Sequence, residues 1–201
     1  MMGMKIKESL DKLAWLVSRV LDPVILIPLT LVLAVSVALV NGERMWFILF
    51  LLFVDGVLPA FVLIWFVKQG SVLSGWDVRD RRERIPLFFF VTLAHALGVL
   101  VAWFGEKQPL AIYLTSFWLL TVIYAVVTLY WKISVHVGVL CALITFAVLA
   151  GGPDWLWLYS LVFLMVWARV WGRHHRLSQA LAGGVVPVLV LPLVFLWFGL
   201  I

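Results

Sequence analysis

Seven long apolar runs dominate this chain, and each is close to the length of a membrane-spanning helix. About 20 apolar residues of helix are needed to cross roughly 30 Å of hydrocarbon. The runs cover residues 22–41, 45–67, 86–104, 109–131, 133–151, 155–171 and 177–201. Hydrophobic residues make up 65% of the chain, more than one soluble domain of this length can bury. The sequence therefore predicts an all-α fold, a polytopic membrane bundle of six to seven transmembrane helices.

The first 21 residues have a different pattern from the apolar runs. Their apolar side chains recur at helical spacing, while lysines and an arginine occupy other positions. These apolar positions are Ile6, Leu10, Leu13, Val17 and Val20. With Trp15 as an anchor, the pattern predicts an interfacial amphipathic helix over residues 1–21, followed by a transmembrane domain over residues 22–201.

Three polar clusters interrupt the later runs. They are "DVRDRRERIP", with four arginines, "WKISVHVG", with Lys132, Ser134 and His136, and "RVWGRHHRLSQ", with Arg169 and His175. Arginine forks match phosphate oxygens, and two imidazoles can supply a nucleophile and an acid. This set of side chains favours phosphoryl transfer. Metal-dependent hydrolysis fits it less well, because no HExxH motif or Asp-rich ligand set is present.

The second and third clusters carry a resemblance to a known family. "ARVWGRHHRLSQALAG" resembles the third motif of the type 2 phosphatidic acid phosphatases, with Arg169 and His175 on its Arg and its nucleophilic His. "ISVH" resembles the second motif, with Ser134 and His136 on its Ser and its acid-base His. "DVRDRRERIP" resembles the first motif more distantly. The resemblance covers roughly residues 75–184.

The resemblance implies a role for each matching side chain. His175 would attack phosphorus, and His136 would protonate the leaving oxygen. His174 would be a neighbour, because only His175 has the family spacing to Arg169. The phosphoryl oxygens would be bound by Arg84 or Arg82, Lys132, Ser134 and Arg169.

This chain departs from the family pattern at several positions. Ala168 replaces a Ser, Val135 replaces a Gly, and Gln179 stands where the family has Asp. That Asp would orient the nucleophilic imidazole and stabilise its positive charge. A Gln carbonyl can accept the same hydrogen bond but supplies no negative charge. Three acidic residues of the first cluster are candidates to compensate, namely Asp77, Asp80 and Glu83.

These observations predict an integral membrane lipid phosphatase that works through a phosphohistidine. The substrate would be a phosphomonoester or diphosphate of a lipid, such as phosphatidate, phosphatidylglycerophosphate or a polyprenyl diphosphate. The scheme needs no metal and no cofactor, and we expect membrane lipids but no nucleic acid as partners. Both the particular lipid and the oligomeric state stay open.

Two other function classes stay open as alternatives. Gln179 leaves room for a catalytically degenerate protein that binds lipid phosphates without turnover, or for a small transporter. "DVRD" has the DxxD form of a magnesium-diphosphate site, so Asp77 and Asp80 also fit an intramembrane prenyltransferase. A second Asp-rich loop is missing for that chemistry.

The membrane is expected to be a plasma membrane of prokaryotic type. Seven crossings place the N-terminus and the three clusters on one face. Outside the clusters, five basic residues lie on that face, whereas two lie opposite, namely Arg44 and Lys107. This charge difference favours a cytoplasmic site.

Two ionisable residues lie outside the resemblance, in the middle of apolar runs. Asp55 belongs to the second run and His95 to the third. A charge in the membrane interior is costly, so both side chains should face other helices. A mutual hydrogen bond that locks two helices is the preferred interpretation, ahead of a proton path.

Overall fold

The computed structural model describes residues 2–40, 42–73, 78 and 80–201, which form helices and loops without any strand. This confirms the predicted all-α class. The α-helices are α1 Met2–Val20, α2 Pro23–Ala38, α3 Glu43–Leu52, α4 Leu58–Lys68, α5 Arg81–Phe104, α6 Leu110–Tyr130, α7 Val135–Gly151, α8 Tyr159–Trp171 and α9 Leu177–Trp197. A π-helical turn, Phe53–Val57, joins α3 to α4, and a 3-10 helix, Pro153–Leu158, precedes α8.

Five stretches of the described chain are long and apolar enough to cross a membrane. They are Met4–Ala38, Glu43–Lys68, Arg81–Phe104, Leu110–Tyr130 and Leu177–Trp197, and the shorter apolar helix Val135–Gly151 adds to them. The chain is therefore a polytopic membrane protein. The fourth and fifth predicted runs are separate helices, since α6 ends at Tyr130 and α7 begins at Val135.

The predicted run at 155–171 forms two pieces instead of one continuous helix. Residues up to Leu158 belong to the 3-10 helix, and only Tyr159–Trp171 is α-helical. The cause is local, because Gly152 has a φ of +98° and Pro153 follows it. A left-handed glycine ends α7, and a proline at the first position starts a new, tighter turn.

The helices form two compact units. The first, called the α7–α9 unit here, comprises Met1–Leu26 and Ile133–Leu189. The second, called the α3–α6 unit, comprises Ile27–Lys132 and Val190–Ile201. Helices α2 and α9 each contribute residues to both units.

The core of the α7–α9 unit is built from α7, α8 and the start of α9. Its buried side chains are Leu26, Val137, Leu140, Ile144, Met165, Val166 and Ala180. Helix α1 packs beside α8 through Ala14, Val17 and Ala168. The Trp171 indole N–H also donates to the Asp11 carboxylate at 2.8 Å, which ties the end of α8 to α1.

The five apolar positions of α1 do not share one environment. Val17 is buried against α8, but Ile6, Leu13 and Val20 are each about half exposed. Helix α1 therefore buries only part of its apolar face against α8, because the apolar arc is wider than that contact. Trp15 is also exposed.

The α3–α6 unit is held by side chains that satisfy helix ends and helix backbones. Arg44 donates to the carbonyls of Ser36 and Leu39 at the end of α2, at 3.1 and 2.8 Å. Arg81 donates to carbonyls in the last turn of α6. Within the bundle, the Trp118 indole donates to the Thr92 carbonyl at 3.1 Å. Arginine is suited to this, since its several N–H groups satisfy orphan C-terminal carbonyls.

Asp55 and His95 both lie in this unit and are buried, as expected. The predicted hydrogen bond between them is wrong, because the nearest atoms, His95 Nε2 and Asp55 Oδ2, are 3.9 Å apart. A hydrogen bond requires about 3.2 Å or less. His95 instead bonds to Thr121 through Nδ1, at 3.1 Å.

Candidate functional site

The turn that ends α8 sets the spacing between Arg169 and His175. Helix α8 is capped at Gly172, and the N–H of His174 bonds to the Arg169 carbonyl at 3.1 Å. The Arg173 N–H bonds to the Val170 carbonyl at 3.0 Å. These are the two bonds of a Schellman motif. The His175 N–H also reaches the Arg169 carbonyl, at 3.2 Å, so one carbonyl oxygen fixes the backbone of both histidines relative to the arginine.

Arg173 occupies the left-handed position of this Schellman turn, with a φ of +55°. Glycine is the usual residue there, because a side chain in this conformation costs about 1–2 kcal/mol. We expect Arg173→Gly to leave the thermal stability of the purified protein in detergent unchanged or raise it by about 1 kcal/mol. Arg173→Ala keeps the strain and loses the guanidinium, so it is the matched control. Destabilisation by Arg173→Gly alone would contradict this account of the turn.

The residues before α7 are joined directly to the start of α9. The Ser134 N–H donates to the Gln179 carbonyl at 3.2 Å. At the next turn of α9, a Cβ placed on Gly183 would lie 2.5 Å from the Ser134 carbonyl oxygen. The glycine is therefore what lets α9 approach the Ser134 backbone. The N-cap residue of α7, two positions before His136, thus meets the helix that follows His175.

The side chain of Gln179 has a role that the sequence did not predict. Its Oε1 accepts a hydrogen bond from the Arg176 N–H at 3.0 Å. Arg176 precedes the first residue of α9 and Gln179 is the third, so this is the reciprocal half of a capping box. The amide oxygen of Gln179 therefore stabilises the first turn of α9.

His136 lies in the first turn of α7, next to a carboxylate that the sequence analysis missed. His136 Nε2 is 3.4 Å from Asp22 Oδ2. Asp22 precedes α2, and its other oxygen, Oδ1, accepts from the Val24 N–H at 3.0 Å, as an N-cap does. Arg19 lies 3.7 Å from Oδ2 on the other side. The pair Asp-Pro at 22–23 signals the cap, but nothing in the sequence links it to His136.

The remaining predicted phosphate ligands belong to the α3–α6 unit. Arg82 is exposed, Arg84 is buried with its Nε 2.6 Å from the Val78 carbonyl, and Lys132 is partly buried. Asp80 caps α5 through the Arg82 N–H, at 2.8 Å, and Glu83 accepts from the Leu73 N–H, at 2.9 Å. These two carboxylates therefore serve their own loop. Asp77 and Arg79 lie outside the described residues.

The predicted residues of the α7–α9 unit form a buried polar set. Arg169 is 2% exposed, His175 6% and Ser134 0%. The Ser134 hydroxyl oxygen is buried without a hydrogen-bond partner in the described ranges. It lies at the start of α7, where the first backbone N–H groups of the helix are not bonded within it. A guanidinium, a hydroxyl and a helix N-terminus are each a kind of group that binds anions such as a phosphoryl group.

Two imidazoles accompany this anion-binding set, one near Asp22 and one fixed by the Schellman turn. Their separate surroundings suit different tasks, because a carboxylate stabilises a protonated ring whereas a neutral ring is needed for attack. Comparison with known proteins adds nothing to this assignment: no family model, no curated protein and no solved structure matches the chain.

Proposed function

We propose that this membrane protein is a metal-independent lipid phosphatase. Its substrate is a phosphomonoester or a diphosphate carried by a lipid, and its catalytic groups are His175 and His136. The proposal rests on the sequence motifs and on one observation, the hydrogen bond from the Ser134 N–H to the Gln179 carbonyl. This contact joins the start of α7, which carries His136, to the helix that follows His175.

The reaction takes place in two displacements at phosphorus. An imidazole nitrogen of His175 attacks, the bond between phosphorus and the leaving oxygen breaks, and His136 donates a proton to that oxygen. Water then attacks the phosphohistidine and gives a proton to His136, and inorganic phosphate leaves with His175 restored. Arg169 and the Ser134 hydroxyl stabilise the charge on the phosphoryl oxygens in both steps. For a lipid diphosphate the first leaving group is the lipid monophosphate.

Asp22 supplies the negative charge that Gln179 lacks, but it supplies it to the other histidine. A carboxylate 3.4 Å from His136 stabilises its imidazolium form, and that is the form a general acid requires. The Gln179 amide is left to hold the start of α9 in place. The phosphohistidine should therefore be less stabilised than in an enzyme with Asp at this position, so turnover should be slow.

Phosphate release from a panel of lipid phosphates tests this function. Purified protein is incubated with phosphatidate, phosphatidylglycerophosphate and a polyprenyl diphosphate, with and without a metal chelator. We expect release from at least one lipid, unchanged by the chelator. Binding of the lipids without release would identify the degenerate alternative. A magnesium requirement, together with loss of activity in Asp77→Ala and Asp80→Ala, would favour the prenyltransferase alternative.

The substitution Asp22→Asn separates the charge of Asp22 from its cap. Asn is as good an N-cap as Asp, so Val24 keeps its acceptor. We expect a loss of about 10- to 100-fold in kcat on a lipid phosphate, part of the roughly 10²–10⁴-fold that a positioned general acid contributes. Phosphate release from a nitrophenyl phosphate should change little, because its leaving group departs without protonation.

Asp22→Ala is the control, since it removes the cap as well as the charge. We expect it to lower thermal stability by about 1 kcal/mol, whereas Asp22→Asn leaves stability unchanged. If Asp22→Asn lost equal activity on the lipid and on the nitrophenyl substrate, Asp22 would have a structural role and not a role in proton donation.

We also propose that the face bearing the second and third clusters is cytoplasmic. Single cysteines at Ser71 and Asp154, both exposed, report on opposite faces when Cys141 is replaced by Ala. Asp154 is chosen instead of Gly152 in the same loop, because a cysteine at Gly152 would be strained by the φ of +98° at that position. In intact cells an impermeant thiol reagent should label Asp154→Cys and not Ser71→Cys. The reverse pattern would reverse the orientation, and labelling of both would contradict the number of crossings.

A further inference from the structure

A second polar site lies in the α3–α6 unit, independent of the proposed phosphatase residues. Asp55 and His95 each lie three to four helical turns away from the charged residues at the helix ends. The Asp55 side chain is 2% exposed and the His95 side chain 10%. An ionisable residue inside a membrane-spanning helix is costly to keep, so a pair of them indicates a function.

The backbone around Asp55 is distorted by the sequence itself. Pro59 has no N–H to donate to the Asp55 carbonyl, four residues earlier, and the chain forms the π-helical turn Phe53–Val57 there. The Leu58 N–H bonds to the Phe53 carbonyl, five residues back. Single π turns of this kind are frequent at functional sites. The turn carries Asp55 toward α5.

Helix α5 approaches this turn closely through a glycine one turn from His95. A Cβ on Gly98 would lie 2.9 Å from Leu51 Cδ2 and 3.7 Å from Asp55 Oδ2. The absence of a side chain at Gly98 therefore lets α5 approach the segment that carries Leu51 and Asp55. Asp55 and His95 are 3.9 Å apart, within ion-pair distance but beyond a hydrogen bond.

The hydrogen bonds of Thr121 determine which His95 nitrogen carries the proton. The Thr121 hydroxyl donates to the Phe117 carbonyl at 3.0 Å, so its oxygen can only accept from His95 Nδ1, 3.1 Å away. Nδ1 therefore bears the hydrogen, and in the neutral ring Nε2 is a bare lone pair. That lone pair faces the carboxylate. Neither Nε2 nor the two Asp55 oxygens has another hydrogen-bond partner in the described residues.

A lone pair opposite a carboxylate in a buried site is repulsive, and one proton removes the repulsion. With a proton on Asp55 the carboxyl group faces a neutral imidazole, and with a proton on His95 the two groups form an ion pair. Other titratable groups on the packed helices lie mostly near the helix ends. On α3, α4, α5 and α6 these groups are Glu43, Arg44, Lys68, Arg81, Arg82, Glu83, Arg84, Tyr113, Tyr124 and Tyr130.

We propose that Asp55 and His95 form an intramembrane proton-binding site that holds one exchangeable proton between Nε2 and the carboxylate. The proton is taken up from water and released to it, with no other change in bonding. The site lies within the α3–α6 unit and involves none of the residues proposed for phosphoryl transfer. Its presence or absence is therefore separate from any phosphatase activity.

Infrared difference spectra of the full-length protein in lipid nanodiscs, recorded while the pH is stepped, test the site. We expect a carboxylic acid or carboxylate band that titrates as one group and is lost in Asp55→Asn. Asp154→Asn, at an exposed position, should leave that band unchanged. His95→Gln should shift the pH at which the band titrates, because the shared partner is gone.

Thr121→Val is a second variant that keeps both ionisable groups. It removes the acceptor of the Nδ1–H, so we expect the band to remain and its titration to shift. The proposal would be overturned if wild type and Asp55→Asn gave identical difference spectra across the pH range in which the protein stays folded. A titrating band whose midpoint pH is shifted by neither His95→Gln nor Thr121→Val would also overturn it. In either case the pair would serve helix packing alone.

Discussion

On the proposed mechanism, we expect His175→Ala to abolish phosphate release from a lipid phosphate, while His174→Ala leaves a substantial part of it. The expected loss for His175→Ala is about 10³-fold or more, because a removed nucleophile eliminates the covalent route itself. The two histidines are adjacent and both are fixed by the Arg169 carbonyl, so their difference reports the chemistry of one ring. Two measurements check this result. The first is phosphate release, and the second is the amount of labelled, acid-labile phosphate that stays on the protein.

Acid-labile phosphate should appear on the wild-type protein and on His136→Ala, but not on His175→Ala. His136→Ala removes the acid and not the nucleophile, so some phosphohistidine should still form. The opposite result, with His174 required and His175 dispensable, would overturn the match to the family spacing. Activity that survives both single substitutions would exclude a phosphohistidine at this turn.

Gly183→Ala disrupts the junction between the loop before α7 and the start of α9. Its Cβ would stand 2.5 Å from the Ser134 carbonyl oxygen, which is backbone and cannot swing away. We expect a loss of about 1–3 kcal/mol of stability, typical of overpacking in a well-packed interior. Because Ser134 is the N-cap of α7 and His136 lies in its first turn, phosphate release should fall as well. Thermal unfolding in detergent and the phosphate assay measure the two effects.

Gly184→Ala is the matched control one position along the same helix. Its Cβ would meet Val137 Cγ1 at 3.4 Å and Val162 Cγ1 at 3.8 Å, close to ordinary contact distances. Alanine also favours a helix over glycine by about 1 kcal/mol, so this variant should be neutral or stabilising. If both variants were destabilised equally, any side chain in this part of α9 would be unfavourable, and the contact of Gly183 with the Ser134 backbone would not be the cause.

Much of the helix layout could be predicted because lipid imposes a simple rule. Backbone groups in hydrocarbon must be bonded within the helix, so apolar length alone locates the spans. The runs predicted at 86–104 and 109–131 correspond to α5 and α6, whose apolar ends match within a few residues. The run at 155–171 was misjudged because Gly152 and Pro153 change the local backbone without changing hydropathy.

The candidate site could be predicted only where its geometry is local. Arg169 and His175 are held by a turn of six residues, and a pattern in the sequence can specify such a turn. The partner of His136 could not be predicted. Asp22 reaches it from the start of α2, far away along the chain, through the packing of the helices. The hydrogen bond from the Arg176 N–H to Gln179 Oε1 was also not predicted, since the resemblance relates this position to the nucleophile and not to a helix start.

The sequence by itself determined that this chain is an all-α membrane protein, where its helices lie, and which side chains are suited to phosphoryl transfer. Hydropathy and the spacing of residues that are close in the sequence carry this information, so no tertiary structure is needed for it. Only the tertiary structure decided that Asp22 faces His136, that Ser134 meets Gln179, and that Asp55 stops 3.9 Å short of His95. Such contacts depend on how closely helices approach, and single glycines such as Gly98 and Gly183 control that approach through the volume of one Cβ.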